Sequence, residues 1–312
     1  MIVGIDVGGT KTHIVLSTPD ADDFHVVVGT ATWQRSHLFG DNGNAARLVS
    51  LLREHVAEEL TSPLVIGAHG CDTEHQCSTF REQISACYAG PVSVLNDAEL
   101  VGPAAGIAEP VISVIVGTGS IVVGRSPLGE RLTVGGHGWL LGDPGSAPAL
   151  VREAIRMMLV ARDAGAPRDL MAERFMHEYG VNDEIELSYV FSTDPSITSW
   201  GRLAPVVFEC ADLGSTLAWR VIDSAAARLA QDVARAVSLG AVGQTVIVAG
   251  GVAVNQPHFF EAFRRHLVST GLEHAVKLLE IAPVYGALEI ARKMTAQSTT
   301  VEECNGHQQQ AS

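Results

Sequence analysis

Residues 4–12 read Gly-Ile-Asp-Val-Gly-Gly-Thr-Lys-Thr. An apolar run from Ile2 delivers Asp6 to a pair of glycines, and a second β-type run starts at Thr12, so the stretch reads as strand, tight turn, strand. Two more glycine turns close β-type runs further on: Val-Gly-Thr-Gly-Ser at 116–120 and Val-Ala-Gly-Gly-Val-Ala-Val-Asn at 248–255. One glycine after a strand is ordinarily only a turn. Three at strand ends, in this order, point to backbone N–H groups bared toward an anionic ligand, because a main chain without Cβ can approach one closely.

Working outward from residues 4–12, strands fit 2–6, 12–17 and 24–30. A helix fits 44–60, with Leu48, Leu52, Val56 and Leu60 on one face. Strand 64–68, helix 78–88, strand 92–95 and a short helix 98–107 follow, giving an open α/β layer with hairpins at one edge. A second series begins at Val111 with strands 113–116, 121–124 and 131–134. It continues through helices 147–162 and 169–179 and a helix-rich stretch to 213. An amphipathic helix 217–239 carries Leu217, Val221, Ala225, Leu229 and Val233. Strand 245–249, helix 258–271 and strand 276–280 lead to a final helix 284–294 behind Pro283, a favoured first-turn residue. The repeated strand–hairpin–helix series predicts two related α/β domains, 1–108 and 109–295, with a nucleotide cleft between them and the final helix available to pack back onto the first. The polar, Gln-rich stretch 296–312 reads as a disordered tail.

Composition narrows the function classes. A chain of 312 residues is long enough for two packed domains. Its formal charge of −14 argues against a nucleic-acid surface. It does not oppose ATP, whose phosphates can be held locally by amides, a lysine and Mg2+. No apolar run nears the ~20 residues of a membrane helix. No basic-plus-apolar leader precedes Ile2, so a soluble, cytoplasmic protein without a membrane partner is expected. Cys71, Cys77, Cys87, Cys210 and Cys304 lack C-x2-C spacing, and the 12 histidines contain no H-x3-H pair. Reduced, packing cysteines are expected rather than a zinc site.

The chemistry concentrates in four places. Asp6 ends a buried-type strand, where a carboxylate is costly unless a cation or donors meet it. Mg2+ held through water would do so, with Gly8, Gly9, Thr10 and Lys11 facing phosphate oxygens. The order Gly9-Thr10-Lys11 is not that of a P-loop, and a plain hairpin with a solvated Asp is the competing reading. Gly117, Thr118, Gly119 and Ser120 repeat the arrangement; Gly250, Gly251 and Asn255 would let a base or ribose lie against bare backbone. Asn96 and Asp97 end strand 92–95, the edge at which open α/β sheets bind ligands. Asp97 can serve there as a general base or, equally simply, as the cap of the following helix. Finally, residues 135–146 hold five glycines (Gly135, Gly136, Gly138, Gly142, Gly145) with His137, Trp139 and Asp143, a density too costly in entropy for a mere connector. An aromatic and a carboxylate on a close-turned backbone suit a sugar.

These motifs together resemble the sugar kinase–actin–heat-shock-70 superfamily of ATPases. Within it the chain is similar to the N-acetylglucosamine kinase branch and the related BadF/BadG/BcrA/BcrD ATPases, from Met1 to about Met294. The resemblance implies two ribonuclease-H-like (actin-like ATPase) domains with ATP in the inter-domain cleft, Asp6 as the Mg-linked acid, and Gly8–Lys11 and Gly117–Ser120 as phosphate loops. It further implies Gly250-Gly251 as adenosine loop, Asp97 as the base on the sugar hydroxyl, and Gly136, His137, Gly138, Trp139 and Asp143 as sugar contacts beside Asn96. A homodimer is the family-like expectation. The chain departs from the family pattern where His137 replaces Trp and Pro144 replaces Glu. Where relatives carry an Asn-containing segment, it has Trp33-Gln34-Arg35-Ser36-His37; Arg35, Ser36 and His37 are expected to line the sugar pocket, with Arg35 favouring an anionic or un-acetylated substituent. The expected activity is ATP-dependent phosphorylation of an amino sugar such as N-acetylglucosamine or glucosamine, at the 6-hydroxyl. The competing readings are an activator ATPase driving electron transfer, with Cys71 and Cys77 as its nearest thiols, and a catalytically silent sugar sensor.

Overall fold

The structure is a computed structural model that describes residues 1–39, 41–56, 61–193 and 196–309. It forms two compact units: Met1–Glu109 joined by the segment that begins at Ile281, and Pro110–Glu280. Each is built on a five-stranded sheet.

In the first unit β1 (Ile2–Val7), β2 (Lys11–Thr18) and β3 (Ala21–Gly29) form an antiparallel meander, and β4 (Leu64–Ala68) and β5 (Val92–Asn96) extend it in parallel, in the order β3-β2-β1-β4-β5. Every residue of β4 is buried, as expected of a strand covered on both faces. Helices α1 (Gly43–Arg53), α2 (Glu74–Ser85) and α3 (Val101–Ala104) cover the sheet; Leu48, Leu52, Phe80 and Ile84 pack with Ile5, Ile14 and Ile66 in one core. The helix expected over 44–60 stops at Arg53, because its last turn tightens into bonds from His55 N to Leu52 O and Val56 N to Arg53 O. Val56 still packs on the core, and residues 57–60 lie outside the described residues. Helix α2 begins four residues before the expected start, at a capping box in which Thr73 and Gln76 satisfy each other's backbone N–H groups. The short helix expected over 98–107 is a 3-10 turn, Asp97–Leu100, running into α3.

The second unit repeats the topology. Strands β6 (Ile112–Val116), β7 (Ser120–Arg125) and β8 (Arg131–Gly135) form the meander, and β9 (Thr245–Ala249) and β10 (Ala275–Leu278) add parallel strands in the order β10-β9-β6-β7-β8. Around it lie α4 (Ala147–Asp163), α5 (Leu170–Tyr179), α6 (Glu184–Thr193), α7 (Ile197–Gly201), α8 (Ala204–Asp212), α9 (Thr216–Ser238), α10 (Gly251–Asn255) and α11 (Pro257–Ser269). Their core joins Phe175, Phe259, Phe263, Val221 and Leu229 to Val114 and Val248.

The last helix, α12 (Val284–Gln309), belongs to the first unit, where Val284 and Leu288 pack with Val15, and Ala287 and Ala291 with Val65 and Leu100. It continues past Met294, where the apolar spacing ends, so the stretch expected as a disordered tail is helical from 296 to 309; no proline interrupts it. Residues 310–312 lie outside the described residues. Among the described residues no helix is long and apolar enough to cross a membrane. A Cβ on Gly286 would lie 2.0 Å from the carbonyl oxygen of Leu100, a backbone atom that cannot step aside alone. Gly286→Ala should therefore destabilise the protein by about 1–3 kcal/mol, the cost typical of overpacking, read as a lower urea midpoint; an unchanged midpoint would show that α12 does not seat closely on α3.

Candidate active site

Parallel pairing brings the chemistry of the first unit to one edge. Val7 pairs with Ala68, and Ala68 with Asn96, so the chain leaves β1, β4 and β5 side by side at Gly8, His69 and Asp97. The β1–β2 turn is closed by Gly8 N donating to Lys11 O at 2.9 Å. A buried polar chain fixes it from behind: Trp33 Nε1 donates to Thr12 Oγ1 (2.9 Å), Thr12 and Thr30 share a hydroxyl bond (3.0 Å), and Thr30 Oγ1 donates to Gly8 O (2.8 Å). Gly9, Thr10 and Lys11 remain exposed on this rigid support.

Asp6 is partly buried, yet enough protein surrounds its carboxyl to push the pKa up to about 7; burial dominates, the charge of Asp97 adds to it, and Lys11 opposes it. Asp97 is 8% exposed and is raised for the same first reason, with Asp72 adding and the charge of His69 and the Ala98 N–H opposing. Two buried carboxyls, each raised by burial and by a neighbouring carboxylate, mark a place short of positive charge. Among the described residues no group of three or more His, Cys, Asp or Glu could hold a metal alone. The carboxyls of Asp6 and Asp97 are hard oxygen donors, the kind that a cation of the magnesium type takes one or two of, with water and substrate phosphates for the rest.

The cap of the turn after β5 is Asn96, not Asp97. Asn96 Oδ1 accepts from Ala98 N at 3.0 Å, and Glu99 returns the bond to Asn96 N, which leaves Asp97 as the first residue of the turn. The other end of the buried Asn96 amide donates to Cys71 O (3.3 Å) and Asp72 Oδ1 (3.0 Å). Asn96 thus brackets two loops; its amide is engaged within the protein rather than held out for a sugar. His69 and Asp72, absent from the sequence reading, enter the site through this bracket and through β4. Their signal was available: His-Gly-Cys-Asp follows a short, wholly apolar strand, the position at which Gly250-Gly251 follows β9.

Arg35, Ser36 and His37 are exposed on a loop gripped by one buried amide. Asn44 accepts from Arg35 N (2.8 Å) and donates to Arg35 O (3.1 Å), His37 O (3.3 Å) and Leu38 O (3.0 Å). Arg47 braces the same loop through Trp33 O, Asp41 and Asn44. Ser36 holds a positive φ of 59° there, uncommon for a residue with a Cβ.

In the second unit, Gly117 and Gly250 meet. Gly250 has φ 101°, and a Cβ on it would lie 2.4 Å from Val116 O; one on Gly117 would lie 3.6 Å from Gly251 N. The loop Gly117–Ser120 and the turn Gly250-Gly251 are therefore adjacent at the ends of β6 and β9. Thr118 and Gly119 are partly open, whereas Ser120 is buried and donates to Pro144 O at 2.9 Å. Asn255 lies within α10 and donates to Gly251 O at 2.7 Å. Gly136 and Gly138 take positive φ, and Asp143, 4% exposed, accepts from Gly138 N at 3.1 Å and shapes the turn that carries exposed His137. Trp139 is not a free stacking face: it is 8% exposed, with its ring 4.8 Å from that of Trp200.

The sequence profile of the BadF/BadG/BcrA/BcrD ATPase family matches residues 3–291. The chain belongs to this family. It is 27% identical over 306 residues to the N-acetylmuramic acid/N-acetylglucosamine kinase of Clostridium acetobutylicum, covering 93% of this chain and 98% of that one. The N-acetyl-D-glucosamine kinase of Dictyostelium discoideum is 25% identical over 245 residues, 72% of this chain and 76% of its own. A ROK family glucokinase from Streptomyces griseus, solved with glucose and AMPPNP, superposes with a TM-score of 0.60 at 19% identity over 94% of this chain and 99% of that chain. The α/β architecture with two five-stranded sheets is that of the sugar kinases, an actin-like ATPase fold.

Asp6 gives a pH signature. Its folded pKa, about 7, lies above the 3.8 of an unperturbed aspartate, so folding takes up a proton between those values. Its contribution to stability is complete below about pH 4 and is lost as pH rises through about 7. The metal-free wild type should therefore lose melting temperature between about pH 5 and pH 8. Asp6→Asn should flatten that slope and melt higher than wild type at pH 8; parallel slopes for the two proteins would count against a buried, proton-binding Asp6.

Proposed function

We propose that this protein transfers the γ-phosphoryl group of ATP to a hydroxyl of an amino sugar, the 6-hydroxyl of N-acetylglucosamine or a close relative. The observation that supports it most is Asp97: a buried carboxyl with a raised pKa at the end of β5, sharing the Ala98 N–H with the capping Asn96 and one strand removed from the exit of β1 toward Gly8–Lys11. Burial that raises a carboxyl makes its carboxylate a stronger proton acceptor, as a general base requires. The names of the Clostridium and Dictyostelium relatives support the amino-sugar acceptor.

Asp97 accepts the hydroxyl proton as the sugar oxygen bonds to the γ-phosphorus and ADP leaves. Gly8–Lys11 hold phosphate oxygens through main-chain N–H groups and the lysine. In the second unit, Gly117–Gly119 and Gly250-Gly251 are assigned to the nucleotide, and the turn Gly136–Gly138 to the sugar. Asp6 would hold a magnesium-type cation, which would supply charge neutralisation on the triphosphate. Most of the rate enhancement comes from positioning and charge, with little covalent work by the protein. Arg35 gives the acceptor loop an exposed cation on a clamped backbone. One relative's name pairs N-acetylglucosamine with N-acetylmuramic acid, which carries a carboxylate, so both belong in the acceptor panel. Cys71 and Cys77 are both buried, which disfavours them as outward-facing cluster ligands of an electron-transfer activator.

ADP release from Mg-ATP should depend on an added sugar across a panel of glucose, glucosamine, N-acetylglucosamine and N-acetylmuramic acid. Sugar-independent release, or none, would overturn the kinase reading. Asp97→Asn should lower kcat by about 10²–10⁴-fold while nucleotide still binds in calorimetry; near-normal turnover would remove Asp97 from the role.

A further inference from the structure

We infer that His69 is a catalytic residue that donates an imidazole N–H to the phosphoryl group in flight between ATP and the acceptor hydroxyl. The inference rests on the kinase reading above and adds a residue to it.

Placement carries the argument. His69 is the first residue after β4, the strand between β1 and β5. Its backbone N–H donates to Val7 O at 2.8 Å, which pins it beside the residue that opens into Gly8. On the other side, the pairing of Ala68 with Asn96 sets His69 beside Asp97. The phosphate-holding turn and the proton-accepting carboxyl thus flank it on neighbouring strands, and a phosphoryl group passing from one to the other passes in front of the strand between them.

The loop is built to hold this residue still. Cys71 N turns back onto Ala68 O at 3.1 Å, and Gly70, with φ 87°, makes the reversal. The buried Asn96 amide ties Cys71 O and Asp72 Oδ1 to the segment that carries Asp97. Yet the side chain so placed is exposed, and among the described residues its ring has no hydrogen-bond or ion-pair partner. Here the backbone is fixed at three points and the imidazole is left unengaged. The proximity of His69 to Asp97 is felt electrostatically as well, since its charge opposes the rise in the Asp97 pKa. The role requires no proton transfer by His69: the hydroxyl proton goes to Asp97, the new O–P bond forms, the bond to the ADP oxygen breaks, and the imidazole contributes a hydrogen bond that strengthens as charge spreads over the phosphoryl oxygens.

The test compares a transition-state mimic with a ground-state ligand. Wild type, His69→Ala and His69→Gln are titrated with MgADP alone and with MgADP, aluminium fluoride and N-acetylglucosamine, and their kcat and KM are measured. Removing one preorganised donor typically costs about 10²-fold. His69→Ala should lower kcat by about that factor, weaken the aluminium fluoride complex by the same factor, and leave MgADP affinity and both KM values within about twofold. His69→Gln, which keeps an N–H donor, should recover part of both losses and serves as the comparison if the alanine variant does not fold. An unchanged aluminium fluoride complex in both variants, or an equal weakening of MgADP, would overturn the role of His69 while leaving the kinase reading intact. A wild type that forms no sugar-dependent aluminium fluoride complex would overturn both.

Discussion

The parallel pairing of β4 with β1 on one side and β5 on the other is the constraint on which the chemistry of the first unit depends. Parallel strands end at a common edge, and these end with Val7, Ala68 and Asn96 in register. The residues that follow each strand are thereby set about one strand spacing, ~4.8 Å, apart. Nothing in loops alone would hold Gly8, His69 and Asp97 at that interval. The β4 residues are buried throughout, between β1 and β5, so the ladder hydrogen bonds on both sides hold the spacing of the polar edge.

Two buried amides turn that edge into a rigid site. Asn96 ties the exit of β5 to the loop after β4, and Asn44 ties the loop after β3 to the start of α1. Each makes several bonds in a low-dielectric setting, where a satisfied network rigidifies and a broken one is costly. Both sit beneath residues left exposed: His69 above one, Arg35 and His37 above the other. Buried amides that hold the backbone of exposed cationic and imidazole side chains lower the ordering entropy that any ligand of these loops would have to meet.

How much of this was legible in the sequence depends on the range of each interaction. The glycine turns after β1, β6 and β9 and the place of Asp97 just after β5 were legible, because strand ends and bare backbone are local signals. The role of Asn96 was not, since its partners at Cys71 and Asp72 lie 25 and 24 residues away and only the fold brings them near. Trp139 read as a sugar-stacking aromatic because it sits in a glycine-rich loop; its partner Trp200, far along the chain, makes it part of a core. The overrun of α1 and the late start given to α2 share a cause: apolar period marks which residues face a core, while helix ends follow capping and tightened turns.

The two units have the same strand order, and equivalent positions in them carry different chemistry. The first-strand turn carries Asp6 and Lys11 in one unit and Gly117–Ser120, without a charge, in the other. After the fourth strand of the series stands His69 in one and Gly250 in the other, where a Cβ would strike Val116 O at 2.4 Å. One scaffold thus places titratable side chains at an edge where its repeat places bare main chain. Side chains with tunable pKa values suit proton transfer and charge neutralisation, while bare N–H groups suit a ligand held in place but not altered. The two edges share one strand order, and the difference between them is made by a few residues at strand ends rather than by any change in the order of the strands.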